Sequence, residues 1–458
     1  MADERRDARP PRNDPHPTAG ERAARRIIAS LRGAGFQAYF AGGCVRDTLR
    51  GEVPQDFDVA TDAPATAVQA LFRRTVPVGA QFGVVLVLID GQPVEVATFR
   101  SDAEYIDGRH PVAVRPASAE EDAQRRDFTI NGMFLDPDTG AVLDYVGGRA
   151  DLAAGVIRAI GDPRARFAED HLRLLRAVRL AARLGFEIEP LTFAAIKVQA
   201  ASITAIAWER IGEEIIRILT EGDARRGFEL LDATGLLPHV LPEIAAMKGV
   251  EQSPDYHPEG DVFTHTILLL EQLRAPTETL ALGALLHDVA KPPCAERRPD
   301  GRITFYGHCE RGAELAVAIC QRLRRSRQTW ERVDYLVRNH LKLIEAPRMR
   351  RSTLRRFLAE DGIDELLALA RMDSLASNKD LTAYEFCVRA RAAFADEPIK
   401  PPPLLRGRDL LALGYPRGPL YTRILVAVEE RQLEGELASR DDALAWVQRE
   451  FPLHYATG

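Results

Sequence analysis

Two aspartates one residue apart, Asp56 and Asp58, stand just ahead of the apolar Val59 and Ala60. On a β-strand such a pair projects from one face. Paired hard oxygen ligands suit magnesium, which binds through one or two carboxylates together with substrate phosphates. Upstream lies Gly42-Gly43-Cys44-Val45-Arg46-Asp47. Its glycines let backbone N–H groups approach a triphosphate closely, and Arg46 adds a forked donor for the phosphate oxygens. A phosphate cradle followed by a cation site is the order suited to nucleotide polymerisation. Taken singly, Asp-x-Asp also marks turns and solvated strand ends, and Gly-Gly also marks loops.

Further motifs follow in order: Arg125-Arg126-Asp127-Phe128-Thr129-Ile130-Asn131, then Gly148-Arg149-Ala150-Asp151 through Ile157-Arg158, then Glu169-Asp170-His171-Leu172-Arg173. Asp170 and Arg173 are three apart in a segment of helical character and so share a face. A carboxylate acceptor beside a guanidinium donor complements the Watson–Crick edge of cytosine or adenine, and protein would then stand in for a template. Arg176 and Arg179 continue the spacing as a basic stripe. That stripe fits a triphosphate as well as it fits an ordinary solvated helix face.

Together these motifs resemble the tRNA nucleotidyltransferase and poly(A) polymerase family, in its bacterial and eukaryotic class, within the polymerase-β-like nucleotidyltransferase superfamily. The resemblance covers residues 25 to 250 approximately, with a further stretch near the C-terminus. It implies an α+β head with a small mixed sheet, then all-α neck and body. It implies Asp56 and Asp58 as catalytic magnesium ligands, and Gly43, Arg46, Arg126, Asp127, Asp170, Arg173, Arg176 and Arg179 as nucleotide-binding residues. Arg125 to Asn131 matches the family's ribose motif, Gly148 to Arg158 its hinge, and Glu169 to Arg173 its base-reading motif. The implied reaction is template-independent transfer of CMP and AMP from CTP and ATP onto the tRNA 3′ end, without a protein partner. Poly(A) polymerases and enzymes adding only A share the head motifs and remain open alternatives. Thr98 to Asp102 and Tyr105 to Pro111 read as a loop from their Gly, Pro and charge content. In the resembling family a loop here is associated with adding the terminal adenosine, so its presence favours full CCA addition.

The second half carries a separate constellation: His265, His287-Asp288, His308, His340 and Asp373. Histidines and carboxylates on separate helices can converge in a bundle core on one or two metals. The pattern resembles the HD phosphohydrolase superfamily, and the resemblance implies a divalent metal that activates water against a phosphate ester, such as a 2′,3′-cyclic phosphate or 2′-phosphate on an RNA end. An RNA-end phosphohydrolase using its head only for binding, or a noncatalytic RNA-binding protein, are the readings from other classes; intact Asp56, Asp58 and Asp127 argue against both.

The elements that must position these groups follow from periodicity. Glu21 to Gly33 reads as an amphipathic helix, and Ala38 to Phe40, Asp58 to Ala60, Val84 to Ile89 and Val94 to Phe99 as strands of a mixed sheet. Glu95 points opposite to Val94 and Val96, toward the metal site or toward solvent. From Asp151 onward helical spacing dominates, with breaks at Gly161-Asp162-Pro163, Gly185 and Gly235. The expected organisation is a disordered tail over 1–20, a head over 21–150, a helical neck and body over 151–250, an HD helical domain over 251–395 and a helical tail over 396–458.

At 458 residues and 46% hydrophobic content the chain can bury more than one core. A net charge of -6 gives no basic footprint overall, although arginines cluster at 322–327 and 348–356, where phosphate contact and plain solvation are equally open. The five cysteines form no C-x-x-C pair, which argues against a disulfide framework or a thiolate zinc site and fits a reduced cytoplasm. The longest purely apolar run, Val84 to Ile89, is too short to span a membrane.

Overall fold

A computed structural model describes residues 17–79, 83–102, 114–253, 257–394 and 402–452. The chain divides into two compact units, Met1–Ala245 and Ala246–Gly458.

The first unit opens with helix α1 (Ala19–Gly33), whose N-terminus is capped by the Thr18 side chain accepting from the Glu21 N–H. Helix therefore replaces the last two residues of the expected tail, while residues 1–16 lie outside those described. Ala23, Ala24, Ile27, Ile28 and Leu31 fall on one face of α1 and are buried against the sheet, which is what their three- and four-residue spacing dictates.

The sheet contains β1 (Ala38–Ala41), β2 (Asp58–Thr61), β3 (Thr75–Gly79), β4 (Val84–Ile89), β5 (Gln92–Thr98), β6 (Met133–Leu135) and β7 (Val142–Asp144). Its strand order is β3-β4-β5-β2-β1-β6-β7. β2 runs antiparallel to β1 and parallel to β5, so the sheet is mixed as expected. Periodicity does not mark β3, which carries Pro77 at its centre, or β6 and β7, which have three residues each. The register pairs Ala41 with Asp58 and Val59 with Val96. Asp58 on β2 is thereby set beside Glu95 on β5. Short helix α2 (Gly43–Leu49) follows β1 directly. A helical region completes the unit, including α3 (Arg173–Leu184) and α4 (Trp208–Thr220), both with continuous apolar faces.

The second unit is helical. Helices α5 (Val262–Leu270), α6 (Glu278–Leu286), α7 (His308–Arg322), α8 (Arg327–Asn339) and α9 (Ile363–Ala376) pack around buried aliphatic side chains such as Leu269, Leu285, Leu336 and Leu369. Three further helices, Gly407–Ala412, Pro419–Leu433 and Arg440–Glu450, enclose a small core that includes Leu410, Ile424 and Trp446.

Candidate functional site

The chain leaves β1 through Gly42, whose backbone has φ 72° and ψ -132°. A side chain here would be strained, and its Cβ would meet Arg126 Nη1 at 3.3 Å and Asp58 Oδ2 at 3.7 Å. Gly42 thus holds the first turn of α2, with its unpaired N–H groups, at the mouth of a cavity of about 500 Å³. Gly43, Arg46, Asp58, Glu95, Arg126, Asp127, Asp170, Arg173, Arg176 and Arg179 all line it.

Asp58 opens β2, whereas Asp56 sits in an exposed bend two residues earlier, so the two do not share a strand face. Strand pairing begins only at Asp58. The charges still interact: burial first, then repulsion from Glu95 and Asp56, pushes the Asp58 carboxyl up to about 6, against the opposing pull of Arg126. None of these three carboxylates has an ion-pair partner among the described residues. The Asp58 and Glu95 oxygens face the cavity, whose lining does not include Asp56, and are a donor set that fits a hard divalent cation.

The arginines around the cavity are already engaged. Arg46 is buried, paired with Asp47 at 2.7 Å and donating to Asn131 Oδ1 at 2.9 Å. Its fork is spent on protein, contrary to a free phosphate donor. Arg126 donates to Asp122 at 3.1 Å. Arg176 binds the buried Asp127 carboxylate at 2.6 Å, and this pair holds Asp127 well below the usual carboxylate range despite its burial. Arg179 is buried on Glu214 and Glu221, at 2.7 and 3.2 Å, which makes it a packing residue of the cavity wall rather than a free phosphate ligand.

Asp170 and Arg173 do not share a helix face. The helix ending at Glu169 stops, Asp170 is extended (φ -145°), and α3 begins at Arg173. Asp170 accepts from the Leu172 N–H at 3.0 Å and from Arg210 at 3.2 Å, while Arg173 binds Glu169 at 2.6 Å. Both nevertheless line the one cavity. Arg125, from the ribose motif, also lines it, as do Arg183, Arg210 and Arg217, which no motif marks in the sequence.

In the second unit every expected ligand converges. His265 is in α5, His287 and Asp288 follow α6, His308 starts α7, His340 ends α8 and Asp373 is in α9. His265 Nε2 lies 3.3 Å from His287 Nε2, 3.0 Å from Asp373 Oδ1 and 3.9 Å from Asp288 Oδ2. On the other side of Asp288, Oδ1 lies 3.6 Å from His308 Nε2 and 3.7 Å from His340 Nε2. Asp288 therefore bridges two donor groups. The Nδ1 atoms of His287, His308 and His340 face the Ala284, Phe305 and Val337 carbonyls at 3.0, 2.7 and 2.7 Å, which places the proton on Nδ1 and leaves Nε2 as a lone-pair donor.

The electrostatics differ between the two sides. Burial lowers His265, but hydrogen bonds to Asp373 and Glu259 outweigh it and hold the imidazole at about 9. Burial dominates at His340 and takes it down to about 4. Asp288 is buried and held well below its usual range by His287 and Lys291, the latter 2.7 Å away. Its Oδ1 has no hydrogen-bond partner, an orphaned buried acceptor aimed at two imidazole nitrogens. Such an arrangement fits one or two divalent cations. Lys291 and Glu259 were not anticipated, although Lys291 follows Asp288 by three residues and that spacing was legible. The arginine clusters are divided: Arg355 is buried, Arg327 pairs with Glu331 and Arg348 with Glu345, while Arg350 and Arg356 are exposed.

Three family models match the chain: the poly A polymerase head domain over residues 38–158, the probable RNA and SrmB-binding site of polymerase A over 185–248, and the HD domain over 261–378. The A-adding tRNA nucleotidyltransferase of Deinococcus radiodurans is 35% identical over 432 residues, covering 90% of this chain and 95% of that protein. The CCA-adding enzyme of Bacillus subtilis is 43% identical over 211 residues, 46% of this chain and 53% of the enzyme. A crystal structure of the Bacillus stearothermophilus CCA-adding enzyme in complex with CTP superposes with a TM-score of 0.63 at 28% identity, covering 96% of this chain and 99% of the other. The Thermotoga maritima CCA-adding enzyme complexed with tRNA shares the fold at 19% identity, with a TM-score of 0.59 over 94% of this chain and 95% of the other.

Proposed function

This chain belongs to the tRNA nucleotidyltransferase and poly(A) polymerase family, and we propose that it transfers CMP and AMP from CTP and ATP to the 3′ end of tRNA, completing CCA without a template. The observation that carries this reading is the single cavity that gathers the Asp58 and Glu95 carboxylates with the Asp170 and Arg173 side chains. Transfer chemistry and base recognition share one space.

Asp56, Asp58 and Glu95 would hold magnesium, which supplies charge neutralisation for the triphosphate and an acidified 3′ hydroxyl. The glycine turn at Gly42 and Gly43 admits the phosphates to the first N–H groups of α2. Asp127 and Arg176 lock together and hold α3 against the ribose motif, so that the base-reading residues face the reacting phosphate. Asp170 accepts from an exocyclic amino group and Arg173 donates to ring acceptors, the combination offered by cytosine and adenine. For this, each exchanges a partner within the protein, Arg210 and Glu169 respectively, for the base.

Addition of A alone is the second reading, favoured by the near full-length similarity to the Deinococcus radiodurans A-adding enzyme. Of the expected loop bearing on this choice, Thr98 ends β5 and Arg100–Asp102 is a strand paired with Val114–Pro116 rather than loop, while Tyr105 to Pro111 lies outside the described residues. At the histidine-aspartate centre, resident divalent metal would polarise a phosphate ester and deliver water to it. Among the described residues no helix is long and apolar enough to cross a membrane; the proposed tRNA substrate is what assigns the reaction to the cytoplasm.

The test is extension of tRNA transcripts ending before CCA and after CC, with CTP and ATP separately and together, read as product length. Three nucleotides added and then arrest is the expected result. One A added only after a supplied CC would assign the A-adding reading, and long A tails would assign poly(A) polymerase.

A further inference from the structure

We propose that Cys309 is a ligand of the second cation of the histidine-aspartate centre, completing with His308, His340 and Asp288 a four-coordinate site of two nitrogens, one oxygen and one sulfur. The proposal rests on the metal-binding reading of that centre and adds a sulfur donor to it.

Two edges of the donor set match those of a tetrahedron. With metal–nitrogen bonds of about 2.0–2.1 Å and a metal–sulfur bond of about 2.3 Å, tetrahedral coordination separates two nitrogens by about 3.3 Å and nitrogen from sulfur by about 3.6 Å. Here His308 Nε2 and His340 Nε2 are 3.4 Å apart, and Cys309 Sγ is 3.6 Å from His308 Nε2. Asp288 Oδ1 is 3.6 and 3.7 Å from the two imidazoles. The donor atoms of His308, Cys309 and His340 all lie within 4.8 Å of one another.

The second, independent observation is Asp288 itself. Its Oδ1 is buried without a hydrogen-bond partner and is aimed into this donor set. Both imidazoles are fixed by Nδ1 contacts to backbone carbonyls, so their Nε2 lone pairs are presented to the same point. Cys309 occupies the first turn of α7 and is half-buried on the wall of a cavity of about 630 Å³ that also admits Lys291 and His257. The thiol is therefore reachable by a metal ion from solvent.

Coordination forms a sulfur–metal bond and releases the thiol proton to solvent. A thiolate donor shifts preference from magnesium toward zinc, cobalt or iron. Four protein donors also close the second position, so this cation is held, while the subsite of His265, His287 and Asp373 is the one with room for water.

Cobalt(II) titration of the chelator-stripped full chain tests this. With magnesium in excess to fill the head carboxylates, the expected result is two cobalt equivalents bound, one of them developing a near-ultraviolet thiolate-to-cobalt charge-transfer band. In Cys309→Ser and Cys309→Ala the band vanishes and that equivalent binds about tenfold more weakly or worse, with circular dichroism confirming the fold of both. Two equivalents bound by the native chain without the band, or a band that persists in both variants, would overturn the sulfur ligand while leaving the metal centre standing. No cobalt binding at all would overturn the metal reading and the ligand with it.

Discussion

The carboxylates of the head cavity and those of the histidine-aspartate centre are held in opposite states. Asp58 is pushed up to about 6 by burial and by the neighbouring Glu95 and Asp56. Asp288 is held well below its ordinary value, and Asp373 is lowered by its hydrogen bond to His265. The difference is in the partners. Cations of the protein's own, Lys291 and the protonated His265, answer the second pair, whereas the arginines of the head are spent on Asp47, Asp122, Asp127 and Glu214. The head is left electrostatically incomplete until a cation and nucleotide arrive. The other centre has its carboxylates answered in charge at rest, although Asp288 Oδ1 lacks a hydrogen-bond partner, and it presents preset imidazoles.

This contrast breaks most visibly at Asp58. Asp58→Asn is expected to lower nucleotide transfer by about 10³-fold or more, with tRNA binding by filter assay retained. Because the native carboxyl is raised above its unfolded value, it opposes folding at neutral pH, and the amide removes that opposition. The variant is therefore expected to be more stable than the native chain in metal-free buffer at pH 7, on the order of 1 kcal/mol. Native-level transfer would sink the catalytic assignment, and a loss of stability would sink the electrostatic one.

The same substitution in the second unit is expected to act with the opposite sign. Asp288→Asn leaves Lys291 buried with Gln252, at 2.6 Å, as its remaining hydrogen-bond partner among the described residues. Removing one member of a buried pair costs about 3 kcal/mol, read as a lower midpoint in denaturant titration of the metal-free protein. Equal or greater stability in Asp288→Asn would erase the distinction between the two centres.

Local patterns carried most of this architecture in the sequence. Asp58 was legible because it borders an apolar strand, and the six residues of the second centre because each stands at a helix end or on a buried helix in the expected order. What the sequence hid was pairing across distance. Nothing near Asp127 announces that Arg176, 49 residues on, will neutralise it, or that Arg179 will be consumed by Glu214. Asp170 and Arg173 were misassigned to one helix face because propensity favours helix throughout, while the Asp170 side chain competes for the Leu172 N–H and breaks the run. Cys309 beside His308 carries no signal in the sequence, because only the fold brings His340 of the α8 end to the same point.

The smallest expected effect separates the two sides of the satisfied centre. His265 is held at about 9 against an ordinary value of 6.5 by Asp373 and Glu259. A folded-state value raised in this way stabilises the protein fully below pH 6.5, and that contribution drains away as pH rises through 9. Metal-free native protein is therefore expected to lose stability between pH 6.5 and 9, relative to a His265→Gln variant, on the order of 1 kcal/mol. His340, already taken down to about 4, is neutral in the folded chain throughout this window, and its contribution is common to native chain and variant. Loading the centre with divalent metal should reverse the trend, because the bound imidazole must be neutral and a cation competes better as protons leave. A flat difference between native chain and variant would show that Asp373 and Glu259 do not hold a proton on His265, and the resting centre would then be no more satisfied than the head.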